Sequence, residues 1–332
     1  MTRIAIIGAG LAGLHLASRL QDKADVTVFE KSRGVSGRLA TRRIDDYEFD
    51  HGAQFFTARS DIFMRFLAPF ISSGVVQPWE PRVLTLAQGE KPYRRDWFEC
   101  HYVAVPAMTS LCKAMAAALD IRLHSHVTGI SPCAGPPRNA WSLQSGGETL
   151  PELFDWVIST APLPQTRQLF QGPNVEPDIL SGDEQADVLP CYTLMLGFET
   201  LPSLPFEAAR VKHASIDWIA LNHSKPGRSA LPAMVVQSTH AWALQHLDNT
   251  EGQVRDDLLH DLANVLATPL PEPRVMALHR WRFAKAEPPL DTTYFLDADR
   301  QLAACGDGFT ESRVEGAFLS ANALADTLVQ RL

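Results

Sequence analysis

Residues 4–30 read IAIIGAGLAGLHLASRLQDKADVTVFE. Ile4 to Ile7 form a short β-branched run that stops at Gly8, and apolar side chains then recur at helical spacing from Leu11 to Leu20. A second apolar run, Val26-Thr27-Val28-Phe29, ends at Glu30, so the stretch predicts strand, tight turn, helix and a second, parallel strand. Gly8-Ala9-Gly10-Leu11-Ala12-Gly13 is therefore a GxGxxG turn between strand and helix, with an acid at the end of the following strand. Gly8 permits the sharp turn, Gly10 lets a pyrophosphate approach the backbone, and Gly13 lets the helix lie close on the strand. Glu30 is placed to accept hydrogen bonds from a ribose diol. A glycine-rich turn in an unrelated α/β sheet is the plainer explanation. Strand, glycines, helix and acid all falling in register within thirty residues favour a dinucleotide.

Outward from this unit, Lys31-Ser32-Arg33-Gly34-Val35-Ser36-Gly37-Arg38-Leu39-Ala40-Thr41-Arg42-Arg43 places four arginines within eleven residues. Guanidinium groups suit phosphate oxygens, and glycines bracket the segment before Arg38, so Arg38 is read as a cofactor contact and Arg42 and Arg43 are left open. Pro106 suits the first turn of a helix over 106–119. Strands are expected near 127–130 and 156–160. Between 161 and 274 prolines recur, at 162, 164, 173, 177, 190, 202 and 205, strand-like runs fall at 192–198 and 233–238, and an amphipathic helix over 252–267 carries Val254, Leu258, Leu262 and Val265 on one face. This texture suggests a separate module. The tail returns to the first texture, with a strand at 302–305, a Gly306-Asp307-Gly308 turn and a final helix over 316–332.

The chain has 332 residues, 45% hydrophobic and 20% charged, which is a globular balance with length for about two domains. The formal charge of −8 argues against a nucleic-acid partner. Five cysteines without a CxxC pair fit a reducing compartment, no apolar run is long enough to span a membrane, and neither leader nor anchor is visible, so a cytoplasmic location is expected. His124-Ser125-His126 lacks a third ligand, and no metal site is expected.

Taken together, several segments resemble the flavin-containing amine oxidase superfamily, and within it the renalase branch. They are the GAGLAG turn, Glu30-Lys31-Ser32-Arg33, Gly37 to Arg43, Asp50-His51-Gly52-Ala53-Gln54-Phe55-Phe56-Thr57, Val105-Pro106-Ala107-Met108, Trp281-Arg282 and Cys305-Gly306-Asp307-Gly308-Phe309-Thr310. The resemblance implies an α/β fold like that of p-hydroxybenzoate hydroxylase and the amine oxidases. In it a Rossmann-type FAD domain (1–58, 103–163 and 276–332) is interleaved with a sheet-based substrate domain (59–102 and 164–275). It implies non-covalent FAD held by Gly8, Ala9, Gly10, Leu11, Ala12, Gly13, Glu30, Lys31, Ser32, Arg38, Gly52, Ala53, Gln54, Phe55, Val127, Thr160, Gly306 and Asp307. Val314, Glu315, Gly316 and Ala317 would open the last helix toward the flavin. For the substrate it implies Gln54, Phe55, Thr57, Asn222, Gln237, Trp281 and Arg282, with Arg59 a weaker candidate. Asn222 and Gln237 would orient a carboxamide and Trp281 would stack on a flat ring.

No catalytic base is singled out. A dihydropyridine donor releases a hydride and no proton, whereas an amine must first be neutral. Many amine oxidases place a lysine near the flavin, and the matching segment here, 191–198, contains none. The resemblance to renalases implies oxidation of dinucleotides carrying hydride at the 2- or 6-position of the nicotinamide, with dioxygen reduced to hydrogen peroxide. A true amine oxidase and a flavin-binding protein without turnover are the rivals. A nicotinamide-dependent dehydrogenase is disfavoured by the Gly306-Asp307 segment. The oligomeric state is not legible.

Overall fold

The computed structural model describes residues 1–94, 99–133, 140–171, 187–266, 268–290 and 292–332. Two compact units form, and the chain passes between them four times: Met1–Arg38, Leu111–Val188 and Lys285–Leu332 make one, Leu39–Ser110 and Leu189–Ala284 the other.

In the first unit the Arg3–Ile7 strand sits inside a six-stranded sheet, parallel to Asp25–Phe29 on one side and to Trp156–Ser159 on the other. Leu302–Ala304 and Asp120–Arg122 extend the parallel array, and Phe295–Asp297 closes one edge antiparallel. The chain leaves Ile7 toward one neighbour and returns later to the other, so the Gly8 turn lies at a topological switch point, where such sheets open a crevice. Fully buried Ile4, Ala5 and Ile6 show why the run is a strand: both faces are covered. One face carries the antiparallel meander Val127–Cys133, Ala140–Ser145 and Glu148–Phe154, whose Val127, Ile130, Trp141, Leu143 and Phe154 pack with Ala5, Ile7 and Phe29. The helix Leu11–Leu20 packs on the last helix, Val314–Val329. His15 meets Phe318 with ring centroids 4.5 Å apart, and its Nε2 lies 3.1 Å from Asn322 Oδ1. Both chain ends thus meet in one unit.

The second unit is built on a seven-stranded sheet in the order Val275–Glu287, Asp187–Gly197, Ala233–Ser238, Ile216–Leu221, Ala208–Lys212, Val83–Ala87, Tyr93–Arg94. Against one face lies the helix Glu251–Leu266, with the expected Val254, Leu258, Leu262 and Val265 buried. Residue 267, where that helix was expected to end, lies outside the described residues, as do Pro173 and Pro177. On another core the hairpin Thr41–Ile44/Tyr47–Asp50 inserts Tyr47 and Phe49 against Met195, Val235 and Val275.

These cores account for boundaries that differ from the sequence reading. Residues 39–58 fall in the sheet unit because Tyr47 and Phe49 are part of its interior. The segment after 163 starts in the nucleotide unit because Leu163, Leu169 and Phe170 of the helix Leu163–Phe170 pack on Val157 and Leu302. The helix expected over 106–119 spans only Thr109–Ala116. Its predecessor Val105 still donates to Val75 O in the exit from the strand His101–Ala104, so Pro106 lies before the helix instead of in its first turn.

Candidate functional site

In the nucleotide unit, Gly8 has φ +109° and its amide donates to Phe29 O at 2.8 Å, which fastens the turn to the second strand. A β-carbon on Gly13 would lie 2.0 Å from Gly8 O, so the third glycine is demanded by close packing of helix on turn. A β-carbon on Gly10 would meet nothing within 4 Å: the space above it is open. Thr160 works from beneath, its hydroxyl donating toward Ile7 O and Gly8 O at 3.0 and 3.1 Å. Glu30 is buried and accepts from the Ala9 amide (2.9 Å) and the Ser32 amide (2.8 Å), one on each oxygen, leaving lone pairs for a diol. Lys31 and Ser32 are exposed beside it.

The arginine loop is tied back by the Ser36 amide, which donates to Ala9 O at 2.9 Å. Arg38 reaches Asp307 in a two-pronged pair, Nη1 donating to Oδ2 at 2.8 Å and Nη2 to Oδ1. Arg38, Ala161, Cys305, Gly306, Asp307 and Phe309 line a small cavity here. Neither the helix at Gly10 nor the one at Arg313 has a side-chain cap, so two uncapped helix starts leave first-turn amides for an anion. Gly316, in that last helix, is fixed by packing, since a β-carbon would lie 1.9 Å from Glu311 O. Open backbone above Gly10, a carboxylate at the strand end and uncapped amides are what a dinucleotide requires. The Val127 side chain is buried in the core with Ala5 and Phe29, which leaves its backbone to face a cofactor. Cys305 is also core, and burial pushes its thiol up to about 12, which makes it inert.

The sheet unit carries a second constellation. On the strand Val275–Glu287 alternation sends Val275, Ala277, His279 and Trp281 to one face. The first two enter the apolar core with Met195 and Val235. One row further, Thr193 pairs in register with Gln237, and the face becomes polar. The loop Asp50–Gln54 is fastened to that row: Thr193 Oγ1 and Trp281 Nε1 donate to His51 O at 3.0 and 2.8 Å, and Gln237 Nε2 donates to Gly52 O at 2.8 Å. His51 stacks on Trp281 at 5.2 Å and meets His279 edge-on at 4.8 Å. Burial, then His279 and Arg42, push the His51 imidazole down to about 4, and burial with Arg42 lowers His279, so both are neutral near pH 7.

Behind the loop, Asp50 is fully buried. It accepts from Thr41 Oγ1 (2.7 Å), Met108 N (3.2 Å), Lys225 Nζ (3.1 Å) and Arg228 Nη2 (2.8 Å). Burial pushes its carboxyl up, but Lys225 and Arg228 outweigh that and hold it at about 2. Burial lowers Lys225 to about 8 against the pull of Asp50. Lys225 Nζ also donates to Gln54 Oε1 (3.2 Å) and Asn222 Oδ1 (3.0 Å).

This geometry corrects several assignments. Asn222 is 1% exposed and its amide is spent on Glu48 O, Asp50 N and Lys225, so it builds the loop instead of orienting a carboxamide. Gln54, also buried, donates to Asp50 O and Gly52 O. Arg282 is exposed and alternates to the face opposite Trp281, away from Gln237. Arg59 pairs with Glu99. Phe55 is half-buried against His101 (4.1 Å) and Trp218 (5.5 Å), Ala53 and Thr57 are half-buried, and Gly52 is buried. Lys225, Arg228 and His279 escaped the sequence reading. Lys225-Pro226-Gly227-Arg228 has the composition of a turn, and only the lone acid of Asp50-His51-Gly52 hinted that a buried cation was needed.

Residues 83–329 match the family described as Flavin containing amine oxidoreductase, and residues 6–70 match the NAD(P)-binding Rossmann-like domain. The chain belongs to the flavin containing amine oxidoreductase family. Renalase from Mus musculus is 25% identical over 351 residues, covering 97% of each chain. Carotenoid 3,4-desaturase from Haloarcula japonica is 35% identical over 97 residues, 29% of this chain and 18% of that protein. Among solved structures, an oxidoreductase from Methanosarcina mazei has a TM-score of 0.69 at 13% identity, over 98% of this chain and 100% of the other. Putrescine oxidase bound to putrescine has a TM-score of 0.70 at 12% identity, over 99% of both chains. The last two likenesses speak for the fold.

The protein is thus a flavin-dependent oxidoreductase with non-covalent FAD, and the glycine turn, Glu30, Arg38, Asp307 and the start of the last helix are the residues that fit it. When bound, the flavin supplies hydride acceptance and onward electron transfer to oxygen. Among the described residues no helix is long and apolar enough to cross a membrane, and no cluster of metal-ligating side chains is present.

Proposed function

We propose that the protein oxidises dinucleotides whose dihydronicotinamide carries its hydride at the 2- or 6-position. The donor gives a hydride and becomes the aromatic NAD(P) cation, while dioxygen takes two electrons and two protons, one of them from solvent, to leave as hydrogen peroxide. The similarity to renalase along 97% of the chain agrees with this reading. The observation that carries it is the proton inventory around residues 50–55. Asp50 is committed to Lys225 and Arg228, the buried lysine is committed to Asp50, His51 is held neutral with little affinity for a proton, and burial with Arg42 lowers that of His279. A donor that must lose a proton before reaction is poorly served there, whereas a hydride donor needs only placement. His51, Trp281 and Phe55 supply flat surfaces for a planar ring.

The test is product balance. Purified holoprotein supplied with the 2- or 6-dihydro isomers should consume one oxygen and form one hydrogen peroxide per oxidised dinucleotide. Oxygen uptake with primary or secondary amines, and none with the isomers, would place the protein among amine oxidases instead.

A further inference from the structure

Of the four arginines after the glycine turn, Arg33 is exposed, Arg38 is paired with Asp307 and Arg43 with Glu48, whose Oε1 lies 2.8 Å from Arg43 Nε. Arg42 is different. It is half-buried, yet among the described residues it has no carboxylate within ion-pairing distance and no side-chain hydrogen bond. Its place follows from the hairpin register. Arg42 lies opposite Phe49, and alternation puts His51, two residues on, along the same face. That face runs from the apolar core of Phe49, Val275 and Ala277 to the rings of His51, His279 and Trp281, and the charge of Arg42 is felt by both imidazoles. Of the acids beside Phe49 on this hairpin, Glu48 is taken by Arg43, and Asp50 already carries Lys225 and Arg228, two cations against one anion. The patch therefore holds a half-buried guanidinium, flanked by neutral aromatic rings, whose counter-charge the described residues do not supply. Half-burying a cation without a partner is unfavourable, and a fork of N–H donors beside flat rings suits a phosphate attached to a ring-bearing nucleotide.

We propose that Arg42 anchors a phosphate of the dinucleotide donor, with His51, His279 and Trp281 as the aromatic wall beside it. The identity of the donor rests on the function proposed above; the anchor itself is tested apart from turnover. ADP-ribose, which carries the pyrophosphate but no nicotinamide, is titrated into FAD-loaded wild type, R42M and R42K. Binding by the wild type, at least tenfold weaker binding by R42M and an intermediate loss in R42K, which keeps the charge but not the fork, are the expected results. No binding by the wild type, or equal affinity in the variants, overturns the anchor. R42K keeps the comparison available if R42M does not fold. A second arm compares 6-dihydronicotinamide donors with and without phosphate, the dinucleotide and the riboside. The kcat/KM of R42M should fall at least tenfold further for the dinucleotide than for the riboside, and equal losses would mean that Arg42 only supports the fold. If ADP-ribose binds through Arg42 but neither donor reduces the flavin, the proposed function fails while the anchor stands.

Discussion

Asp50 illustrates what a buried charge demands of its surroundings. With no exposed surface, it is stable as an anion only because Lys225, Arg228, Thr41 and the Met108 amide all point at it. Asp50→Asn should therefore leave two buried cations unmatched and cost about 3–5 kcal/mol, read as a lower urea midpoint of the holoprotein. Lys225→Met should cost less, about 1–3 kcal/mol, because Asp50, Gln54 and Asn222 each lose one donor but Asp50 keeps the charge of Arg228. A larger loss in K225M than in D50N would contradict this hierarchy. In the nucleotide unit, Asp307→Ala should lower flavin content with the fold retained, since it removes the carboxylate that both orients Arg38 and lines the cavity at Gly306. An unchanged ratio of flavin to protein absorbance in D307A would remove Asp307 from the site. At this scale the sequence was unevenly informative. Gly8, Gly13 and Glu30 are legible because their work is local, done within one turn or two adjacent strands. The partnership of Asp50 with Lys225 spans 175 positions, and no periodicity encodes it.

Among elements, the helix that follows the glycine turn separates folding from binding. A methyl group on Gly13 would strike Gly8 O at 2.0 Å, whereas one on Gly10 meets open space. Gly13→Ala should therefore push the Leu11–Leu20 helix off its strand and lower both the melting temperature and the flavin content. Gly10→Ala should leave the apoprotein's melting temperature within a degree or two and still lose most FAD, because its methyl enters the space a pyrophosphate uses. Parallel loss of stability in both variants, seen by calorimetry of the apoproteins, would count against this division of labour. The same scale explains which elements could be read in advance. Ile4 to Ile7 and the amphipathic Glu251–Leu266 helix declare themselves through burial on one or both faces. The hairpin Thr41–Asp50 did not, because Thr41, Arg42 and Arg43 look like a basic loop until Tyr47 and Phe49 are seen to enter a core with Met195, Val235 and Val275, far along the chain.

Over the whole molecule, acid sensitivity follows from imidazoles that the fold keeps neutral. Burial holds His15 at about 4 and His51 at about 4, below the ordinary 6.5. The unfolded chain takes up their protons first. Their contribution is thus fully present above pH 6.5 and is lost as pH falls from 6.5 through 4, up to about 3 kcal/mol for His15. Asp50, held at about 2 against an ordinary 3.8, adds a second loss only between those values. His15→Gln, which can keep a hydrogen bond to Asn322, should flatten the fall in melting temperature between pH 6.5 and 4; an unaltered slope would assign the acid limb elsewhere. The claim on which the functional account depends is that a flavin in this chain takes hydride from a misplaced position on a reduced nicotinamide ring. The most direct measurement is anaerobic rapid mixing of the FAD-loaded protein with 2-, 4- and 6-dihydronicotinamide dinucleotides and with amines, following the flavin band. Bleaching by the 2- and 6-isomers, with the ordinary 4-isomer and the amines leaving the band intact, is the predicted result; bleaching by an amine while all three dinucleotides leave the flavin oxidised would contradict it.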